Sequence, residues 1–281
     1  MGELKLTQIW IYPIKSLGGI PLTEAKVMGK GLQHDRRWML VDSDDVFLTQ
    51  RDHPLMALFK LTIDEEKITI TYKGDQAYLP LTQSINAVQR AVRIWDDVIM
   101  AYEVSDALTN WFTERMGMEC HLMAFPEANP RQVDPDRVQP CEHVSLADAY
   151  PFMIIGQSSL DDLNKRLVEP VSIKRFRPNF VFTGGEAYEE DLWKDFTIGP
   201  NKFSGVKPCA RCVLTTVDPE TGSKGTEPLR TLATYRKRNN KIFFGQNVVA
   251  RERAFIRVGD VIRLDSSHVL DDKSLVMGSG L

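Results

Sequence analysis

The most pointed chemistry in the sequence is a pair of cysteines, Cys209 and Cys212, in the run Lys207-Pro208-Cys209-Ala210-Arg211-Cys212-Val213. The thiolate is the form of cysteine that ligates metals, and a neighbouring cation favours it, which gives Arg211 a part beside the thiols. A four-thiolate zinc site needs a second closely spaced pair, and the remaining cysteines, Cys120 and Cys141, stand far apart in the chain. A thioredoxin-type dithiol opens a helix, whereas Val213 to Val217, with Thr215 and Thr216, reads as a strand closed by Pro219. Two readings stay open for the pair: a metal-binding thiol, or two half-buried cysteines packed as small hydrophobes.

Four other stretches place polar groups at element ends. Tyr12-Pro13-Ile14-Lys15-Ser16-Leu17-Gly18-Gly19 is a strand running into a turn where backbone amides and an ammonium can approach an anion, although a solvated lysine explains it equally. His34-Asp35-Arg36-Arg37 precedes the strand Trp38 to Val41. Alternation puts Arg36 and Trp38 on one face, and an inward arginine needs an anion; the plain alternative is a surface ion pair with Asp35. In Lys174-Arg175-Phe176-Arg177-Pro178-Asn179, Pro178 forces an extended path, and Arg177 and Asn179 share a face suited to a phosphate and a polar ring. Asp148-Ala149-Tyr150 offers backbone groups ahead of a strand or is a simple loop. The shared theme is local cations near one thiol.

The elements that must position these groups are mostly strands: Leu6 to Tyr12, Lys67 to Tyr72, Val98 to Val104, Phe152 to Ile155, Asn179 to Phe182 and Phe243 to Ala250 join those already named. Three helices are expected. Ser105 caps one that carries Leu108, Trp111, Phe112 and Met116 and ends at Gly117. A second starts near Ser158 or Ser159 with Leu160, Leu163 and Leu167 inward, and a third spans Glu227 to Arg236. The mixture predicts an α+β protein built on strongly bent sheets or a β-barrel with a few peripheral helices. The proline-bearing stretch from Phe125 to Glu142 divides the chain into expected domains at 1–122 and 123–265, and a flexible tail is expected at 266–281.

Thirty-five basic against 38 acidic residues, a net charge of −3, exclude a field that would gather nucleic acid or an anionic membrane over the whole surface. No run of about 18 apolar residues supports a membrane span, and four cysteines are too few for the disulfide framework of a secreted protein. The expected setting is cytoplasmic. Arg236-Lys237-Arg238 reads as a solvated helix end, with nucleic-acid binding as the alternative.

In order, YPIKSLGG, HDRRWMLVD, RFRPNFVF, AYEEDLW, CARCVLTTVDPETG and FGQN before GDVIRL resemble the MOSC-domain proteins with an N-terminal barrel domain, and among them the mitochondrial amidoxime-reducing component and its bacterial relatives. The resemblance covers the chain from about Leu6 to Leu264. It implies a molybdenum cofactor, Mo-molybdopterin, whose metal takes a sulfur from Cys212. Lys15, Ser16, Arg36, Ala149, Tyr150, Arg177, Asn179, Ala210, Arg211 and Asn247 then stand where such proteins hold the pterin and its phosphate. It further implies reduction of N-hydroxylated substrates: amidoximes, hydroxylamines and N-hydroxylated base analogues. No cysteine follows Cys212, so electrons come from a separate protein, a flavin reductase or small redox protein. The sequence departs from the resemblance at Ala210 and Asn247, which bears on substrate range. The competing function is a cofactor or sulfur carrier using Cys212, and His34 and His143 are the candidate proton donors.

Overall fold

The computed structural model describes residues 2–82, 89–133 and 142–267. Cys141, Pro135, Pro140 and most of the expected tail lie outside them. Strands dominate, as the β-branched and aromatic runs require. The largest sheet has nine strands along the path Ile262–Ser267, Trp193–Ile198, Asn201–Arg211, Lys241–Ala250, Phe152–Gly156, Phe180–Thr183, Lys5–Ile11 and Ile20–Leu22, with Lys237–Arg238 branching from Lys241–Ala250. The path is open: its two end strands do not pair with each other among the described residues, so the expected barrel is not closed.

The first strand of the chain belongs to this sheet. Lys5–Ile11 pairs antiparallel with Phe180–Thr183, and Phe255–Arg257 returns the exchange by pairing with Glu24–Met28. A second sheet joins Trp38–Asp42, Cys120–Ala124, Asp97–Glu103 and Gln89–Ile94, and a meander joins Lys60–Ile63, Lys67–Tyr72 and Asp75–Pro80. One apolar cluster runs through both halves, from Phe59, Phe112 and Leu122 to Phe152, Phe180 and Trp193. Burying side chains of that size stabilises each by about 1.5–3 kcal/mol, which ties the halves together.

The helix Asp106–Met116 begins and ends as its residues predict: Ser105 Oγ accepts the Leu108 N–H at 3.2 Å, and Gly117 takes φ 67°. The second helix, Gln157–Lys165, has no side-chain cap of its own at Gly156. Its first turn is capped from a distance by Glu190, which accepts from Gly156 N at 3.1 Å and from Ser159 Oγ at 2.8 Å. The third helix covers only Leu229–Ala233. Beyond it the chain forms a hairpin in which Lys237–Arg238 pairs with Lys241–Ala250 through Asn239 and Asn240, both at positive φ. Arg236 is therefore not a solvated helix end; it is buried, paired with Asp191, and lies over the Tyr188 ring.

Two further expectations change. Val213–Thr216 is a 3₁₀ turn, because Thr215 Oγ1 donates to Cys212 O at 3.0 Å and Thr216 Oγ1 to Val213 O at 2.7 Å, a local bonding that competes with the sheet. The strand is instead Asn201–Arg211, which contains Cys209 and ends just before Cys212. At the other end Ser266 and Ser267 belong to the strand Ile262–Ser267, with Ser266 Oγ donating to Asp195 at 3.0 Å, so a tail beginning at 266 starts too early.

Candidate functional site

Cys212 follows directly on the strand Asn201–Arg211 and is the exposed thiol of the pair, whereas Cys209 is half-buried and packs against the apolar cluster that includes Trp10, Tyr12 and Phe176. Burial raises the Cys209 thiol pKa. The segment after Cys212 is fixed by Arg175, which donates to Thr216 O at 3.1 Å and to Asp218 Oδ2 at 2.8 Å. Asp218 in turn accepts the Glu220 and Thr221 amides, so the loop at DPETG is closed on itself.

Arg211, expected beside the thiols, turns inward. Its guanidinium donates to Phe244 O at 2.8 Å, Phe176 O at 3.0 Å and the Met153 sulfur at 2.7 Å. The cation that touches Cys212 is one that local reading missed: Arg51 Nε donates to Cys212 Sγ at 3.2 Å. Arg51 also donates to Asp148 Oδ2 at 2.8 Å, and Lys15 Nζ bonds the other oxygen of Asp148 and Leu146 O. Burial pulls the Lys15 ammonium down to about 8. Burial would raise the Asp148 carboxyl, but Lys15 and Arg51 outweigh it and hold it well below the usual carboxylate range. Ala149 is exposed next to it, and Tyr150 is buried with Lys207 over its ring.

Asp35 organises the second cluster. It is buried, and it accepts Tyr12 N at 2.7 Å, Arg36 Nη1 at 2.6 Å and Asn179 Nδ2 at 3.0 Å. Arg36 thus does meet Asp35, but as a partner of a buried carboxylate and not as a surface pair. Arg36 and Arg177 both lie over the Tyr12 ring, at 4.4 and 4.1 Å from its centroid. Arg177 Nη1 donates to Leu17 O at 2.7 Å, and Arg177 forms no ion pair among the described residues. Burial and the neighbouring Arg36 lower its pKa to about 10. The Tyr12 hydroxyl is buried without a hydrogen-bond partner among the described residues, and burial pushes its pKa up to about 12.

Backbone strain gathers at the same place. Ser16, Arg36 and Arg177 have φ of 66°, 51° and 55°, a region costly for side chains other than glycine and one that clusters at ligand sites. Alternation along Arg36-Arg37-Trp38 therefore fails at its first residue. Ser16 is held by Gln50, which donates to Ser16 O at 2.6 Å. Tyr12, Arg177 and Gln50 line a cavity of about 230 Å³ that also borders Gly19, Lys174 and Val217. Gly19 is required there, since a Cβ would come within 2.5 Å of the Tyr12 ring. Asn247 is buried and donates to Lys207 O at 3.2 Å; Ala210 is exposed at the strand end. His34 borders a separate cleft with Trp38 and Glu127, and His143 another with Lys26 and Arg253. Neither is among the residues lining the cavity at Tyr12 and Arg177.

The chain is a MOSC protein: residues 3–119 match the MOSC N-terminal beta barrel domain and residues 142–263 the MOSC domain, and the chain belongs to this family. It is 33% identical over 278 residues to the human mitochondrial amidoxime-reducing component 1, covering 92% of this chain and 82% of that protein. The mouse protein of the same name is 34% identical with the same coverage. An Arabidopsis thaliana molybdenum cofactor sulfurase is 30% identical over 92% of this chain, which spans 35% of that longer protein. No helix among the described residues is long and apolar enough to cross a membrane.

Proposed function

We propose that this protein holds Mo-molybdopterin with Cys212 as the protein ligand to molybdenum, and reduces N-hydroxylated compounds with electrons from a separate flavin reductase or small redox protein. The observation that carries the reading is the group at the Tyr12 ring: Arg36 and Arg177 both lie over it, Arg177 without a counter-charge among the described residues, and the buried Tyr12 hydroxyl has no partner among them. A half-buried guanidinium without a counter-charge and a buried hydroxyl without a partner each cost free energy, and a phosphate monoester would offset both. The thiol side fits as well. Among the described residues no three His, Cys, Asp or Glu side chains group to hold a metal, so a metal at Cys212 takes most of its donors from another source, as a dithiolene-chelated one does.

Within this reading Arg36 and Arg177 bind the anionic end, and Lys15 and Ser16 flank it on the strained turn. Asn179 acts from behind, since its amide is already taken by Asp35, Trp10 O and Met153 N. Ala149, Tyr150, Ala210, Arg211 and Asn247 form the walls nearer the thiols. When bound, the cofactor supplies the redox step, in which the substrate N–O bond breaks and two electrons and two protons give the amine or amidine and water. Free thiols at Cys120, Cys209 and Cys212 accord with a reducing setting, and the cytoplasm is the one proposed.

The competing reading, a cofactor or sulfur carrier, draws on the likeness to a cofactor sulfurase and on the exposure of Cys212. The deciding experiment is pterin and molybdenum analysis of protein made in a cofactor-competent host, followed by turnover of benzamidoxime with a chemical reductant. Stoichiometric, retained cofactor with turnover supports the enzyme; absence of pterin removes the reading, and retained cofactor without turnover favours the carrier.

A further inference from the structure

The group that touches the Cys212 sulfur comes from the opposite half of the chain. Arg51 bonds that sulfur and Asp148 together, while Asp148 is already neutralised by Lys15. For ion pairing alone the second cation is surplus, and its distinctive contact is the thiol. Arg51 is also unusually well seated. Its guanidinium lies 4.6 Å from the centroid of the Trp95 ring, Trp95 Nε1 donates to Asp148 Oδ1 at 3.4 Å, and Phe47 meets Trp95 at 4.9 Å in an edge arrangement. Its backbone is held by Thr49 Oγ1, which accepts Arg51 N at 2.9 Å, and by Lys224 Nζ, which donates to Arg51 O at 2.9 Å. Trp95 takes φ 55°, a strained conformation for a bulky residue, and stays 41% exposed. A planar guanidinium that donates to two acceptors on different segments fixes direction as well as distance, which an ammonium does not.

We propose that Arg51, seated on Trp95, is a positioning residue that fixes the direction of the Cys212 sulfur and makes the mouth around it selective for anionic and acceptor-rich groups. This rests on the reading of Cys212 as the metal ligand, and one arm of the test does not depend on it. In cofactor-free protein at a single pH, alkylation of Cys212 by iodoacetate and by iodoacetamide is followed on the isolated peptide. The iodoacetate-to-iodoacetamide rate ratio should fall severalfold in Arg51→Met and return towards the parent in Arg51→Lys, which keeps the charge. In cofactor-loaded protein, Arg51→Met should keep pterin and molybdenum within about twofold, alter the Mo(V) resonance, and lower kcat about tenfold with KM little changed. Arg51→Lys should also show an altered Mo(V) signal, because one ammonium cannot reproduce the fork.

A parent-like reagent ratio together with a parent-like Mo(V) signal in Arg51→Met overturns the proposal. So does a loss confined to melting temperature and pterin content, which marks a merely structural residue. If Arg51→Met does not fold, Arg51→Lys decides, since a parent Mo(V) signal there refutes the claim about direction. Should the parent hold no molybdenum, the functional reading fails, and the reagent ratio still judges Arg51.

Discussion

Asn179 donates from Nδ2 to Asp35 Oδ2 at 3.0 Å, and both side chains are buried, so the amide that sequence reading aims at a ligand is spent on the protein. Asn179→Ala should therefore destabilise cofactor-free protein by about 2 kcal/mol, by leaving a buried carboxylate oxygen and two backbone groups short of partners. Urea denaturation of the cofactor-free form checks this; unchanged stability would show that Asn179 does not hold the site together.

The two arginines on the Tyr12 ring should separate in the same assay. Arg36 is paired with buried Asp35, so Arg36→Ala costs folding as well as cofactor, with breakage of such a pair worth about 3–5 kcal/mol. Arg177 has no counter-charge among the described residues, so Arg177→Met should leave cofactor-free stability unchanged or higher while pterin content falls. Equal loss of stability in both would make Arg177 a structural cation.

Tyr12→Phe deletes one oxygen and keeps the ring beneath both guanidinium groups. Because that oxygen has no partner among the described residues, the variant should melt at or above the parent temperature without cofactor, and release pterin about fivefold to tenfold faster when loaded. A lower melting temperature without cofactor, or parental pterin release, would mean that the hydroxyl is satisfied within the protein.

What could be foreseen from sequence was local. Ser105 and Gly117 bound their helix because a cap and a left-handed stop act within a few residues. Residue type marks Lys15, Arg36 and Arg177 as candidate anion groups, with a plainer alternative open for the first two, and only the family resemblance singles out Cys212 from Cys209. Arg51 was not legible, since nothing near Thr49-Gln50-Arg51 suggests a thiol partner that lies 161 positions away in the chain. The same holds for Glu190 capping a helix at Gly156, and for the first strand joining the sheet of the second half. Val213–Thr216 was misread because β-propensity does not register hydroxyls that bond backward to the carbonyls of Cys212 and Val213.

Glu190 predicts a pH dependence. It is fully buried, and burial followed by the neighbouring Asp191 raises its carboxyl pKa to about 7, above an unfolded value near 4.5. Its protonated form is favoured in the folded state, so its contribution is fully present below the unfolded value and is lost as pH rises through about 7. Glu190→Gln keeps an oxygen for Gly156 and Ser159 and removes the titration. Relative to this variant, the parent should lose stability between pH 5 and 8, by a few kcal/mol at most. Melting curves of the two proteins that run parallel across that range would refute it.

The sharpest test of the site compares Cys212→Ser with Cys209→Ser in cofactor-loaded protein. The pterin is proposed to be held by groups spread over Lys15, Arg36 and Arg177, so loss of one thiolate should lower occupancy only in part. Reactivity depends on the sulfur that the metal receives from the protein, and a serine oxygen is harder and less polarisable. Cys212→Ser should nearly abolish turnover per bound pterin. Cys209 packs against apolar side chains, so Cys209→Ser should keep most of its turnover at some cost in stability. If Cys212 binds molybdenum as proposed, the two sulfurs should not form a disulfide or hold zinc in loaded protein. Turnover with a chemical reductant, normalised to pterin measured on the same sample, decides the matter. Equal loss in both variants would point to a shared dithiol, and full activity in Cys212→Ser would remove this residue from the centre of the site.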